Sequence, residues 1–147
     1  AGRRINDTMA HFVASKIIRL LTKASIPIAQ TRVNVLGATF KENCPDVRNS
    51  QVFNLVSELE GFGLVVTVID PRAHADEVFS EYSVRLQQIN QVQTVGVTIL
   101  AVPHQEFLDK GFEWISSTTD RPGLFIDLHS VFRDEAQSIK TLGYWSL

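Results

Sequence analysis

Apolar positions along this chain follow two alternating rhythms, a helical spacing of three and four residues and short unbroken apolar runs that end at Gly or Pro. Met9, Phe12, Val13, Ile17, Leu20, Leu21 and Ala24 share one helical face, with Asn6 or Asp7 placed to cap its start and Pro27 to end it. His11, Lys16, Arg19 and Lys23 lie off that stripe, so the helix is expected to bury one side against a domain or a partner chain. Residues 32–36 form a β-branched run closed by Gly37, which predicts a strand buried in the middle of a sheet. A helix is expected from Asn49 or Ser50, burying Val52, Phe53, Val56, Leu59 and Phe62 and ending near Gly61 or Gly63. A second strand over 64–69 stops at Asp70-Pro71, and strand, helix and strand within about forty residues make a right-handed unit with parallel strands.

Farther on the pattern weakens. Residues 73–80 are compatible with a short helix, and 84–92 yield no assignment. The run Val-Gly-Val-Thr-Ile-Leu-Ala-Val over 95–102 predicts a strand covered on both faces, with Pro103 as its stop. Helical spacing returns over 105–115, a strand is expected over 124–128, a helix over 134–142, and a terminal strand over 144–147. Repeated alternation of this kind implies an α/β fold, a mainly parallel sheet with helices on both faces, preceded by an N-terminal helix.

At 147 residues and 44% hydrophobic composition the chain is one domain with an ordinary core, too short for a second full domain. Fourteen Lys and Arg against sixteen Asp and Glu give a net charge of −2 with scattered cations, which argues against nucleic acid as a partner. The single cysteine, Cys44, excludes an internal disulfide and a cysteine-based zinc site, and it suits a reducing cytoplasm. No apolar run is long enough to span a bilayer, and the start does not read as a signal peptide, so no membrane association is expected. Position 1 is not Met and the chain opens inside a helical pattern, which suggests a piece of a longer polypeptide.

The loop from Gly37 to Ser50 holds the candidate chemistry, because it lies past the carboxyl end of a buried strand, where open α/β sheets take their ligands. Gly37 has no second and third glycine at the dinucleotide spacing, so the pyrophosphate fingerprint is missing and the chain is not a self-contained NAD-binding domain. Phe40 offers a ring for a base or ribose and Lys41 a compact charge for a diphosphate oxygen; a core Phe beside a solvated Lys fits the same spacing. Arg48 is placed either to take a phosphate bidentately or to tie down Asp46, and Asp46 is expected to brace the loop rather than to exchange protons. Cys44 lacks a sequence-near His and reads as a loop thiol. His11, His74, His104 and His129 are spaced too widely to suggest a metal, and His104, just past a strand, is expected at the cleft rim with a capping or solvent role.

The segment Phe40-Lys41-Glu42-Asn43-Cys44-Pro45-Asp46-Val47-Arg48-Asn49-Ser50, the pair Asp70-Pro71, the run from Ala101 to Phe107 and the closing Tyr144-Trp145 resemble the C-terminal domain of the UDP-glucose/GDP-mannose dehydrogenase family. Gly2-Arg3-Arg4-Ile5-Asn6-Asp7 is similar to part of that family's helix connecting two end domains. The resemblance implies a three-layer α/β/α Rossmann-like domain over 28–147, with residues 1–27 as the end of the connecting helix. It implies NAD-dependent oxidation of a UDP-sugar at C6, from alcohol to carboxylate, supplying a uronate for polysaccharide. In that family an N-terminal domain binds NAD and carries the catalytic Cys, so Cys44 does not inherit that role and the chain alone is expected to be inert. Phe40 and Lys41 match positions that contact UDP, and Arg48 matches an arginine that reaches the NAD of the other domain. His129 stands where the family carries a further cation, and Glu-Asn-Cys-Pro resembles members that oxidise UDP-N-acetylhexosamines. A homodimer built partly on the first helix is expected as well. Two other readings stay open, a stand-alone Rossmann-like nucleotide-binding module and a dimerisation module.

Overall fold

The computed structural model describes the backbone of residues 2–147 and the side chains from Thr8 onward. In chain order the elements are α1 (Gly2–Lys23), β1 (Arg32–Leu36), α2 (Val52–Gly61), β2 (Val65–Ile69), α3 (Ala75–Tyr82), β3 (Leu86–Gln87), a 3-10 turn (Ile89–Gln91), β4 (Val95–Leu100), α4 (Gln105–Ser117), β5 (Thr119–Asp127), α5 (Arg133–Gln137) and β6 (Gly143–Ser146). The strands pair in parallel throughout, in the order β3-β2-β1-β4-β5-β6. The chain therefore leaves β1 toward one edge, returns to β4 on the other side of β1, and builds outward again. The strand order reverses between β1 and β4, and the connections that leave their carboxyl ends go to opposite faces of the sheet, the arrangement that leaves a crevice.

The period-two alternation of each strand explains why both faces are covered. Val33, Val35, Val97, Ile99, Leu124 and Ile126 point to one side, where they join Val13, Ile17 and Leu21 of α1, Val52, Val56 and Leu59 of α2 and Val78 of α3. Leu36, Ile69, Leu100 and Phe125 point to the other side and meet Phe107, Phe112 and Ile115 of α4 with Phe132 and Ala136 near α5. Buried polar positions on the strands are satisfied: Asn34 donates its side-chain amide to Gln93 O at 2.9 Å, and the Thr98 and Thr119 hydroxyls bond at 2.8 Å. Among the described residues no buried side-chain nitrogen or oxygen lacks a partner.

Several boundaries differ from the sequence reading, each for a local reason. α1 begins at Gly2, so Asn6 and Asp7 lie within it instead of capping it. It ends well before Pro27, because Ser25 takes a left-handed conformation (φ 59°) while Ile26 N–H reaches Leu21 O and Ser25 N–H reaches Thr22 O. Its buried stripe is Ala10, Val13, Ala14, Ile17 and Leu21, rotated from the expected one, which leaves Met9 and Phe12 about half exposed. In α2, Leu55 is buried and Phe62 is not, since Phe62 already sits past the helix end. β5 starts at Thr119, earlier than expected: its first residues pair across a register shift that brings Thr119 beside Val95 and Leu124 beside Val97. α5 stops at Gln137, shorter than the apolar spacing suggested, as the chain must turn back for Gly143 to pair with Leu124.

Gly37 has φ 91°, and a Cβ built there would meet Val102 O at 2.5 Å and Val102 Cβ at 2.6 Å. The turn after β1 is glycine because the end of β4 passes against it, which is a packing reason and not a phosphate-binding one. Gly37→Ala is expected to destabilise the fold by about 2–4 kcal/mol through combined backbone strain and steric overlap, read as a lower urea midpoint with an unchanged slope.

Candidate functional site

Three strand ends converge beside Gly37, and one buried carboxylate ties them together. Asp70, the first residue after β2, accepts Ala38 N–H at 2.7 Å and His104 Nε2 at 2.9 Å on Oδ2, and Arg72 N–H at 2.7 Å and Ala73 N–H at 2.9 Å on Oδ1. The Asp70 and His104 side chains are both 0% exposed. His104 Nδ1 accepts Asn43 N–H at 2.9 Å, a role open only to the form that carries its proton on Nε2. The ring is thus a neutral imidazole that donates toward Asp70, with Thr39 Oγ1 also 3.2 Å from Nε2. Burial pushes the Asp70 carboxyl up, but bonds from His104, Ala38 and Ala73 outweigh it and hold the group below its ordinary value.

His104 was expected at the cleft rim with a capping or solvent role, and it is instead among the largest fully buried side chains. Its backbone does occupy the position before α4, yet no side-chain cap forms, because the ring turns inward to the carboxylate. The sequence held a signal for this pair. Asp70 follows β2 and His104 follows β4, the two strands that flank β1, so parallel topology brings both to the same turn.

From this centre the loop after β1 is closed and pegged. Phe40 N–H donates to Asp46 O at 2.7 Å, which closes its base, and the Tyr82 hydroxyl donates to Val47 O at 2.7 Å. Asn43 is left-handed (φ 61°) and uses three groups: its N–H on His104, its Oδ1 for Gln105 N–H at 2.8 Å, and its carbonyl for Arg72 Nη1 at 3.2 Å. Ser50 Oγ donates to Ala38 O at 2.7 Å and accepts Val52 N–H at 3.3 Å, which sets the start of α2.

The loop forms one wall of a cleft of about 910 Å³ at the β1/β4 switch point. Phe40, Lys41 and Glu42 line it with Ser50 and Val52 at the start of α2, Tyr82 of α3, Ala101 and Val102 after β4, and His129 after β5; Met9, Val13 and Leu147 complete the apolar side. Phe40 is 58% exposed, so it is not a core ring, and Lys41 is exposed with its ammonium free of hydrogen bonds and ion pairs, while its carbonyl accepts Thr39 Oγ1 at 2.9 Å. His129 Nε2 lies 3.0 Å from Ala101 O, and donation to that carbonyl leaves Nδ1 unclaimed. The structure thus brings Phe40, Lys41 and His129 to one cleft. Arg48 is not part of that lining: Nε and Nη2 each donate to Asp46 at 3.0 Å, and the side chain stays 79% exposed. Of the two readings left open for it, the tie to Asp46 is the one present, and Arg48 in turn holds the Asp46 carboxyl below its usual range. Cys44 is a half-buried free thiol. Among the described residues no group of three or more His, Cys, Asp or Glu is arranged to hold a metal, and no helix is long and apolar enough to cross a membrane.

The Asp70 bonds predict an acid-labile site. A folded carboxyl below its ordinary value binds its proton more weakly than the unfolded one, so its stabilisation is complete above about pH 4 and is lost as pH falls toward the folded value. Asp70→Asn is expected to lower stability at pH 7 and to flatten the acid side of the curve, measured by chemical denaturation between pH 7 and 3.

A family model described as the UDP binding domain of the UDP-glucose/GDP-mannose dehydrogenase family matches residues 34–134. Protein CapL of Staphylococcus aureus is 37% identical over 139 residues, covering 95% of this chain and 32% of its own length. UDP-N-acetyl-D-glucosamine 6-dehydrogenase of Salmonella typhi is 34% identical over 140 residues, 95% of this chain and 33% of that protein. Among solved structures, the NDP-N-acetyl-D-galactosaminuronic acid dehydrogenase of Methanosarcina mazei shares the fold with a TM-score of 0.81 over 98% of this chain and 30% of that one, at 18% identity. The chain spans about a third of the length of the curated relatives it matches. With a family model over most of its sheet, a switch-point cleft and an unpaired cation on its wall, the chain belongs to the UDP-glucose/GDP-mannose dehydrogenase family as its UDP binding domain.

Proposed function

We propose that this chain holds the UDP part of a nucleotide sugar for an NAD-dependent 6-dehydrogenase, with a UDP-N-acetylhexosamine as the substrate class. The observation that carries the reading is Lys41, an unpaired ammonium that lines the same mainly apolar cleft as the exposed ring of Phe40. The ring suits a base or ribose and the ammonium a diphosphate oxygen, while His129 offers Nδ1 to a hydroxyl or amide of the same ligand. The N-acetylhexosamine preference follows from the Glu42-Asn43-Cys44-Pro45 wording and from a relative whose name states that substrate.

The residues present do not fit a dinucleotide. Gly37 is the lone glycine of the turn, and the approach of Val102 already accounts for it. In this reading NAD, the hydride acceptor, belongs to an N-terminal domain of the whole enzyme that also supplies the catalytic Cys. Residues 1–27 then end the connecting helix and 28–147 form the UDP domain. Arg48, exposed at the loop edge, is the group placed to reach a cofactor held by that other domain. Met9 and Phe12, exposed on α1, suit burial against the rest of the enzyme or a second copy. Holding a remote UDP contributes to rate by fixing the reacting carbon, since that binding energy offsets the loss of freedom at C6.

Titrating UDP at about 100 times its dissociation constant should stabilise the chain by about 2.7 kcal/mol, a rise of roughly 5–10 °C in melting temperature. Lys41→Ala should weaken that binding roughly 10- to 100-fold, the loss of one charge-assisted contact; an unchanged affinity would remove the UDP assignment. In the full-length enzyme Arg48→Ala should raise the KM for NAD several-fold while leaving that for the UDP-sugar in place. Unaltered NAD kinetics would reduce Arg48 to the brace of Asp46.

A further inference from the structure

Phe40 and Lys41 make no polar side-chain contact of their own, so what aims them must be the backbone that carries them. That backbone is fixed at three points: the Phe40 N–H bond to Asp46 O at its base, the Thr39 hydroxyl bond to Lys41 O, and Asn43 at its apex. The apex bond ends on His104 Nδ1, and the same ring is held by Asp70 through Nε2. We infer that His104 is a positioning residue for nucleotide binding, a two-sided linker that transmits the rigidity of the sheet, through Asn43, to the segment bearing Phe40 and Lys41. This rests on the reading that those two side chains meet UDP.

Three observations separate this role from simple core filling. The ring is 0% exposed yet polar at both ends, where an apolar side chain of similar size would fill the core but leave Asp70 and the Asn43 amide without a partner. Its two nitrogens serve different masters, one the sheet and one the loop. Asn43 adopts a left-handed backbone, a conformation that Asn tolerates better than most residues and that holds here because its N–H, its carbonyl and its side chain are all anchored.

The two sides of the ring can be tested apart, since an Asn side chain reaches about as far as Nδ1 and a Gln side chain about as far as Nε2. His104→Gln keeps a donor for Asp70 and drops the loop bond. The variant should retain most of the parent melting temperature but bind UDP roughly tenfold more weakly, the scale of one lost buried hydrogen bond expressed through the ligand. His104→Asn keeps an acceptor for the Asn43 amide and leaves Asp70 short of a donor. It should melt clearly lower than the parent yet bind UDP within about twofold at a temperature where it is folded, because the backbone of residue 104, bonded to Val102 O at 2.8 Å, still ties the acceptor to the end of the sheet. A purely structural role makes affinity follow melting temperature across the pair, and that result, or parent-like affinity in both variants, would overturn the inference. Running Lys41→Ala in the same titration keeps the two claims distinct. If Lys41→Ala binds UDP normally, the underlying site is wrong; if it binds weakly while His104→Gln binds normally, only the linker is wrong.

Discussion

Four hydrogen bonds converge on the Asp70 carboxylate from three segments of chain that are far apart in sequence: the turn after β1, the start of the α3 connection, and the ring that follows β4. A carboxylate without water is costly, by several kcal/mol even after relaxation, unless its lone pairs are all engaged. Here both oxygens accept two donors each, and one of these donors is a neutral ring fixed by its own second bond. The arrangement makes the carboxyl edge of the sheet a joint rather than a set of separate loops. Remove the charge and the turn, the loop and the helix start lose a common reference.

The sheet explains why that joint lies next to a cleft. A parallel sheet whose order reverses at β1 sends the following connections to opposite faces, and the gap between them opens above β1 and β4. The loop after β1 fills part of this gap and its outer wall becomes the site. Stability and recognition therefore meet within a few residues: Thr39 and Asn43 face the sheet, while Phe40, Lys41 and Glu42 face the opening.

The fold was legible because its strands are short, apolar and punctuated. Gly37, Pro71 and Pro103 mark where β1, β2 and β4 give way to loops, and β1 falls on the residues expected of it. The span over 84–92 resisted assignment because β3 is only two residues long and is followed by a single 3-10 turn, too little chain for any period to register. Met9 and Phe12 misled for a different reason: apolar spacing locates a helical stripe but not which edge of it the core covers, and here Ala10 and Ala14 take the close contacts. Phe40 and Lys41 could be placed at the cleft from their position after a buried strand. His104 could not be read as buried from local sequence, since its partner lies 34 residues away and only the pairing of β1 with both β2 and β4 brings them together.

The closed base at Phe40 and Asp46 and the apex at Asn43 leave the loop a ring of fixed circumference. An inserted or deleted residue would throw either the base bond or the apex out of alignment, so length is the one variable that this wall of the cleft does not have. Change in what the pocket accepts must then come by exchange of side chains at constant backbone, above all at Lys41 and Glu42, whose side chains line the pocket without belonging to the frame. Such a wall can be retuned one residue at a time without being rebuilt.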